Sequence, residues 1–305
     1  MADFTLELTD AAASVAASGI EIAHYVFDPV PEAEGGEKPY LHPVRALDGA
    51  VVSAYRPWDH RWHKGLQVTW THVSGENFWG GPTYVDGLGY VARDNVGTIR
   101  HDAFTATEDA GEEVSFTESL TWITRAGDAW IAEERRHRFH GLDRARGLWS
   151  LDVTTTLRNI SSRPLELGSP TTQGRPNAGY TGVALRLARA WTGGRVLSSA
   201  APEADAADPA AVMGSTAEWI ALSGEHDEVD GGGTVLAFAG SSTGDPAIRW
   251  FVRSEPFPIL APSPAFAEAI TLDPDAELAL AHRWVIGDRV WTPDETRVIA
   301  AEFAL

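Results

Sequence analysis

Apolar and polar side chains alternate along much of this chain. Phe4-Thr-Leu-Glu-Leu8 switches with period two, Ile20-Glu-Ile22 continues the pattern, and Val114–Ile123 sustains it. Leu151–Leu157 and Ala184–Leu187 do the same. Period two sends successive side chains to opposite faces, as in a half-buried antiparallel strand. Further strands are expected at Leu66–Thr71, Thr234–Ala239, Ile248–Val252, Leu278–Val285 and Val298–Phe303. Turn signals separate them: Ser74-Gly75, Ala110-Gly-Glu112, Ala126-Gly-Asp128, Asp230-Gly-Gly-Gly233 and Ile286-Gly-Asp288. A 3.6-residue period is rare. Glu203–Ala211 allows a short helix limited by Pro209, at the end of a loop over Ser198–Pro209. Residues 1–305 therefore read as all-β, one domain built as a large antiparallel β-sandwich.

Charge and composition narrow the function. The chain has 24 Lys and Arg against 43 Asp and Glu, a net charge of -19. That sign repels phosphate backbones and anionic lipid, so no nucleic acid and no membrane is expected as a partner. Cysteine is absent, which removes disulfides, thiol nucleophiles and Cys-ligated metals. No apolar run approaches the roughly 18 residues of a membrane span. Ala11–Ala17 lacks the basic flank of a secretory signal, so a cytoplasmic location is expected. No glycine-rich dinucleotide fingerprint, phosphate loop or serine elbow is present, and no nucleotide cofactor is expected. Between Val196 and Ile248 the acids Glu203, Asp205, Asp208, Glu218, Glu225, Asp227, Glu228, Asp230 and Asp245 meet no Lys or Arg, and read as a solvated face. The twelve tryptophans suit pleated, half-buried surfaces; beside polar groups in loops they can also stack on sugar rings.

Histidines concentrate in one stretch. His42, His60, His63, His72 and His101 fall within sixty residues, with Trp58, Trp62, Trp70 and Trp79 among them. Arg56-Pro-Trp-Asp-His-Arg-Trp-His-Lys-Gly65 is too polar for a core strand and reads as a loop feeding Leu66–Thr71. Two imidazoles titrating near neutrality can supply a general acid and a general base, with Asp59 fixing one ring. Expected catalytic residues are His60, His63, His72 and Glu76. Tyr40, His42, Arg56, Trp58, Lys64, Asn77, Trp79 and His101 are expected to bind substrate. Arg56 or Lys64 would steady negative charge, and Trp58 and Trp79 would stack on the ring. His60 and His63 can alternatively share a divalent metal if the loop curls. Of Glu133 and Glu134, one is expected to face solvent.

These segments carry a resemblance. Lys38-Pro-Tyr-Leu-His-Pro43, Asp59-His-Arg-Trp-His-Lys-Gly-Leu66 and Ser74-Gly-Glu-Asn-Phe-Trp79, in that order, resemble a bacterial family of unknown function often labelled PmoA or "methane oxygenase"-like. Gly182–Arg186, Gly214–Trp219 and Arg249–Phe251 fit as well, so the resemblance runs through most of the chain. Trp62 stands where that family usually has His, which counts against a three-His metal site but leaves His60 and His63 in place. The oxygenase label does not transfer, because a particulate methane oxygenase subunit sits in a membrane and this chain has no spanning segment. Members of that family often stand near sugar dehydrogenases and sugar-responsive regulators, so the resemblance implies carbohydrate catabolism. Leu151–Gly168 is similar to a strand–turn–strand passage of galactose-mutarotase-like super-sandwiches, which implies that fold. The catalytic His that follows it in mutarotases is replaced here by Ser169-Pro-Thr-Thr-Gln-Gly174.

The combined expectation is an enzyme acting on a small-molecule carbohydrate. It would cleave a glycoside, in oxidised keto form, by histidine acid–base chemistry. The alternatives are a sugar epimerase or mutarotase, a noncatalytic sugar-binding or regulatory protein, and a metal-dependent enzyme.

Overall fold

A computed structural model describes residues 3–31, 35–227, 229–241 and 247–305. Two eight-stranded sheets form the body. The first runs Phe4–Leu8, Ala12–Ala17, Ile20–Val26, Tyr40–Val44, Leu66–Thr69, Gly182–Arg186, Ile259–Ser263 and Arg249–Arg253 from edge to edge. The second runs Arg195–Ser198, Trp219–Glu225, Gly232–Ser241, Glu277–Gly287, Leu148–Asn159, Ala129–Asp143, Val114–Ile123 and Thr98–Asp109. Their ladders are antiparallel. The large antiparallel sandwich expected from the alternation is present. Two small sheets complete it: Ile270–Leu272, Leu165–Gly168 and His72–Val73 in one, Thr83–Val85 and Gly89–Val91 in the other.

Alternation sorts the faces. Phe4, Val15, Leu66, Val183, Leu185 and Val252 of the first sheet meet Val114, Phe116, Phe139, Leu151 and Val153 of the second in one buried cluster. Seven tryptophans, at 70, 122, 149, 191, 250, 284 and 291, are fully buried. Each such aromatic contributes up to about 3 kcal/mol by area, so most of the tryptophan surplus belongs to the core rather than to any ligand. Glu133 is buried and Glu134 exposed, as neighbours on one strand should be.

Two expectations change. Val298–Phe303 is not a strand but belongs to the end of a helix, Pro293–Glu302. Thr292 and Glu295 close a capping box around Pro293, and Ile299 and Ala300 pack on the outer face of the second sheet. Glu203–Ala211 shrinks to a turn of helix at Pro209–Val212, where Pro209 starts the helix and Asp208 caps it. The acids Glu203, Asp205, Asp208, Glu218, Glu225, Asp227 and Asp230 are exposed, while Glu228 and Asp245 lie outside the described residues. Among the described residues no helix is long and apolar enough to cross a membrane.

Ala184, Phe251, Ile259 and Ala261 alternate with the inward residues of the first sheet and so face away from the second sheet. There they join Trp79, Phe257 and Phe266 in a separate cluster. The candidate site lies on this outer face.

Candidate functional site

Two loops shape the site. In the first, Gly65 N donates to Ala54 O at 2.8 Å and Arg56 N to His63 O at 2.8 Å, which pins the ends. Inside, His60 N reaches Pro57 O and His63 N reaches His60 O, giving two successive tight turns. Gly65 has φ +62, and a Cβ there would stand 2.2 Å from Leu41 O, so glycine is required. The turns stack His60 on His63, ring centroids 4.8 Å apart and planes 26° apart.

Asn77 builds the second loop. Its Oδ1 accepts from Trp79 N at 2.9 Å and Gly80 N at 3.0 Å, and its Nδ2 donates to Gly81 O and Thr83 Oγ1. Gly81, at φ +69, lies against the indole of Trp62, where a Cβ would come within 2.4 Å of the ring. Trp62, the position at which the sequence departs from the resembling family, thus locks the two loops together.

Between these loops and the sheet opens a cavity of about 440 Å³. His60, His63 and His72 share its wall with the aromatic rings of Trp62, Trp79, Tyr84, Tyr90, Tyr180, Phe251 and Phe257. Volume and lining suit a small ring-shaped ligand.

Each histidine is held differently. Arg186 Nη1 donates to His63 Nδ1 at 3.0 Å. An accepting Nδ1 carries no proton, so the neutral His63 ring has its hydrogen on Nε2. Burial first, then the charges of His60, Arg186 and Lys38, hold His63 well below the usual histidine range. His60 Nδ1 lies 3.1 Å from Asp59 Oδ2 but is not aligned for a hydrogen bond. Burial lowers the pKa of His60, and Asp59 opposes this only in part. Asp59 is itself engaged by Arg186 Nη2 at 3.4 Å and Arg189 Nη2 at 3.1 Å. Burial raises its pKa, but Arg186 and His60 outweigh that and keep it ionised. His72 Nε2 faces Glu166 Oε1 at 3.2 Å. Burial lowers the pKa of His72, and the carboxylate again offsets part of the effect. Two imidazoles backed by carboxylates, and a third fixed by an arginine, therefore open on one cavity. All three are neutral at pH 7.

Of the other expected residues, two line the cavity and the rest lie elsewhere. Trp79 and Asn77 line the cavity, but the amide of Asn77 is committed to its own loop. His42 stacks on Tyr55 and exchanges a hydrogen bond with Ser53 Oγ at 2.8 Å; burial first, then Arg45 and His24, lowers its pKa to about 4. Tyr40 is buried against Tyr55, and the Lys64 ammonium sits over its ring, away from the cavity. Arg56 does not line the cavity, and Trp58 is 79% exposed beneath Arg189. Glu76 accepts from Arg125 N at 2.6 Å, tying its turn to the next hairpin outside the wall. His101 bonds Glu118 Oε2 at 2.7 Å between the sheets. Among the described residues no group of three or more His, Asp or Glu side chains is placed to hold a metal ion, and Arg186 occupies one nitrogen of His63.

Sequence reasoning missed Arg175, Tyr180, Arg186, Arg253 and Phe257. They come from distant strands and loops and share no local motif. Arg186 Cζ lies 3.9 Å from the centre of the Phe257 ring, and burial lowers the Arg186 pKa to about 10 despite Asp59.

Several solved structures bear a partial likeness to the chain. One is a candidate aldose 1-epimerase from Klebsiella pneumoniae subsp. pneumoniae, 9% identical, covering 98% of this chain and 86% of its own at a TM-score of 0.44. Another is a galactose 1-epimerase from Lactobacillus acidophilus, 10% identical, with 94% and 98% covered at 0.36. A GH36 α-galactosidase from Geobacillus stearothermophilus is 11% identical, with 94% of this chain and 41% of that one covered at 0.40. No curated protein matches the chain. The sequence model of one family does match, over residues 12–301, and the chain belongs to that family of unknown function, DUF6807.

Proposed function

We propose that this chain is a carbohydrate-processing enzyme that cleaves a glycoside bearing a keto carbon, with histidines moving the protons. One observation carries the reading: among the described residues the cavity wall holds three imidazoles and no Asp or Glu. An ordinary glycosidase needs two carboxylates flanking the glycosidic bond. Here the carboxylates stand behind the imidazoles. A carbonyl acidifies the neighbouring C–H, so a neutral imidazole is then a sufficient base.

In this reading His60 Nε2 takes the proton from the carbon beside the carbonyl. The C–H electron pair forms the enolate double bond, and negative charge gathers on oxygen. His63 Nε2–H donates to that oxygen, held in place by Arg186. The enolate then expels the glycosidic oxygen from the adjacent carbon. The C–O bond breaks, and the leaving oxygen takes a proton from the protonated fraction of His72, which Glu166 enlarges against the larger, opposing effect of burial. An enone and a free alcohol result, and solvent returns the proton from His60 to His72. The scheme calls for neither a nucleotide nor a metal ion.

NMR of keto-glycosides with the purified protein tests it. Enone and free alcohol should appear with the wild type and fall by about 10²–10⁴ in His60→Ala. Anomer or epimer interconversion without release of alcohol would favour an epimerase. Cleavage undiminished in His60→Ala would contradict the proposal.

A further inference from the structure

The wall of the cavity is charged oppositely to the chain. The protein has 43 acidic against 24 basic side chains, yet among the described residues the wall contains Arg175 and Arg253 and no Asp or Glu. Elsewhere arginines find acids, as Arg138 does with Glu113, Arg146 with Glu302 and Arg283 with Asp152. Among the described residues these two make no ion pair. Arg253 lies over the rings of Phe251 and Phe257, at 5.1 and 5.7 Å, and its guanidinium makes no hydrogen bond to described residues. Arg175 covers the ring of Tyr90 at 4.7 Å and donates to its hydroxyl, which shares a 2.6 Å hydrogen bond with Tyr180. These ring and phenol contacts bring no carboxylate to either guanidinium among the described residues. Burial lowers the Arg253 pKa, and the charge of Arg175 adds to the effect. Two half-buried, mutually repelling guanidiniums are unfavourable unless an anion completes them. In so acidic a chain, the missing partner does not reflect a shortage of carboxylates.

We propose that Arg175 and Arg253 bind the oxyanion of an acidic carbohydrate, a sugar carboxylate or a sugar phosphate, and so orient its ring toward the three histidines. Guanidinium forks match both groups. The cationic wall also offsets the repulsion that a chain of charge -19 exerts on an anion. The carbohydrate part rests on the function proposed above, whereas the anion site does not depend on the histidine chemistry.

Calorimetry with glucuronate, glucose 6-phosphate and glucose tests this, using the wild type, Arg253→Gln, Arg253→Lys and His60→Ala. At least one acidic sugar should bind about tenfold or more tighter than glucose, less so at high salt. Arg253→Gln should reduce that preference to within about twofold, and Arg253→Lys should restore part of it. Unchanged melting curves would show that the variants fold. His60→Ala should keep the preference. The tighter of the two acidic sugars identifies the oxyanion. Equal binding of glucose, a preference that survives Arg253→Gln, or no binding of either acidic sugar would overturn the proposal. A retained preference together with undiminished turnover in His60→Ala would overturn the cleavage reading alone.

Discussion

Histidines and carboxylates meet in two regions of this protein, with opposite results. Between the sheets, Glu133 accepts from Arg135 at 2.7 and 2.8 Å, Trp122 Nε1 at 2.7 Å and Thr155 Oγ1 at 2.6 Å. Arg135 also donates to Tyr25, whose hydroxyl donates to Glu118, and Glu118 holds His101. Glu118, Glu133 and Arg135 are at most 3% exposed. Burial would lower the Arg135 pKa, but Glu133, Tyr25 and Glu118 outweigh it, so the guanidinium stays charged. Every hydrogen-bonding group of Glu133 is used. In the outer cavity, by contrast, Arg186 engages only Nδ1 of His63, His60 Nδ1 has no hydrogen-bond partner among the described residues, and both rings line the space a ligand would fill. The same residue types are thus saturated in the interior and left partly open in the cavity, the arrangement that the proposed chemistry calls for.

Breaking each region should separate stability from activity. The largest effect is expected from His60→Ala, which should lower kcat/KM by about 10²–10⁴ while moving the urea unfolding free energy by under about 1 kcal/mol. Glu133→Ala should do the reverse. It leaves Arg135 charged and buried, so unfolding should become easier by about 3–5 kcal/mol, with little change in KM for the folded fraction. Gly81→Ala falls between them. The strained φ and the collision with Trp62 should displace the indole and cost about 1–3 kcal/mol, with a raised KM from the loosened wall.

The two regions should also titrate differently. His282 is fully buried in the second sheet, and burial lowers its pKa to about 4. As pH falls from 6.5 toward 4, the unfolded chain takes up a proton at this site that the folded chain refuses. Folding stability therefore falls with pH across that window and does not depend on this group above it. His282→Gln should flatten the fall by up to about 1.4 kcal/mol per pH unit, read from urea midpoints at pH 5 and pH 6. Activity should instead lose its acid limb below 6.5, as the cavity histidines, with lowered pKa values, take up protons.

The sequence exposed much of this contrast, though not all of it. Period-two alternation located Phe4–Leu8 and Val114–Ile123 at their observed bounds. It misread Val298–Phe303, where Val, Ile and Phe suit a strand; the Thr292-Pro293 and Glu295 capping signal just upstream was the better guide. The clustering of His60, His63 and His72 was visible in the chain. That His42 and His101 are held elsewhere was not, because alternation cannot say which sheet face a ligand approaches. Arg175 and Arg253 left no local trace, since strand pairing of distant segments brings them together. Asn77 looked like a ligand donor because loop-building amides and ligand-binding amides share the same composition.

Deuterium uptake from D₂O into the carbon beside the carbonyl of a keto-glycoside, followed by NMR, tests the central claim most directly. Wild-type protein should wash in solvent deuterium or release alcohol, His72→Ala should slow release more than exchange, and His60→Ala should reduce exchange by about a hundredfold or more. Exchange at the wild-type rate in a folded His60→Ala protein would show that the open imidazole of this cavity is not the base.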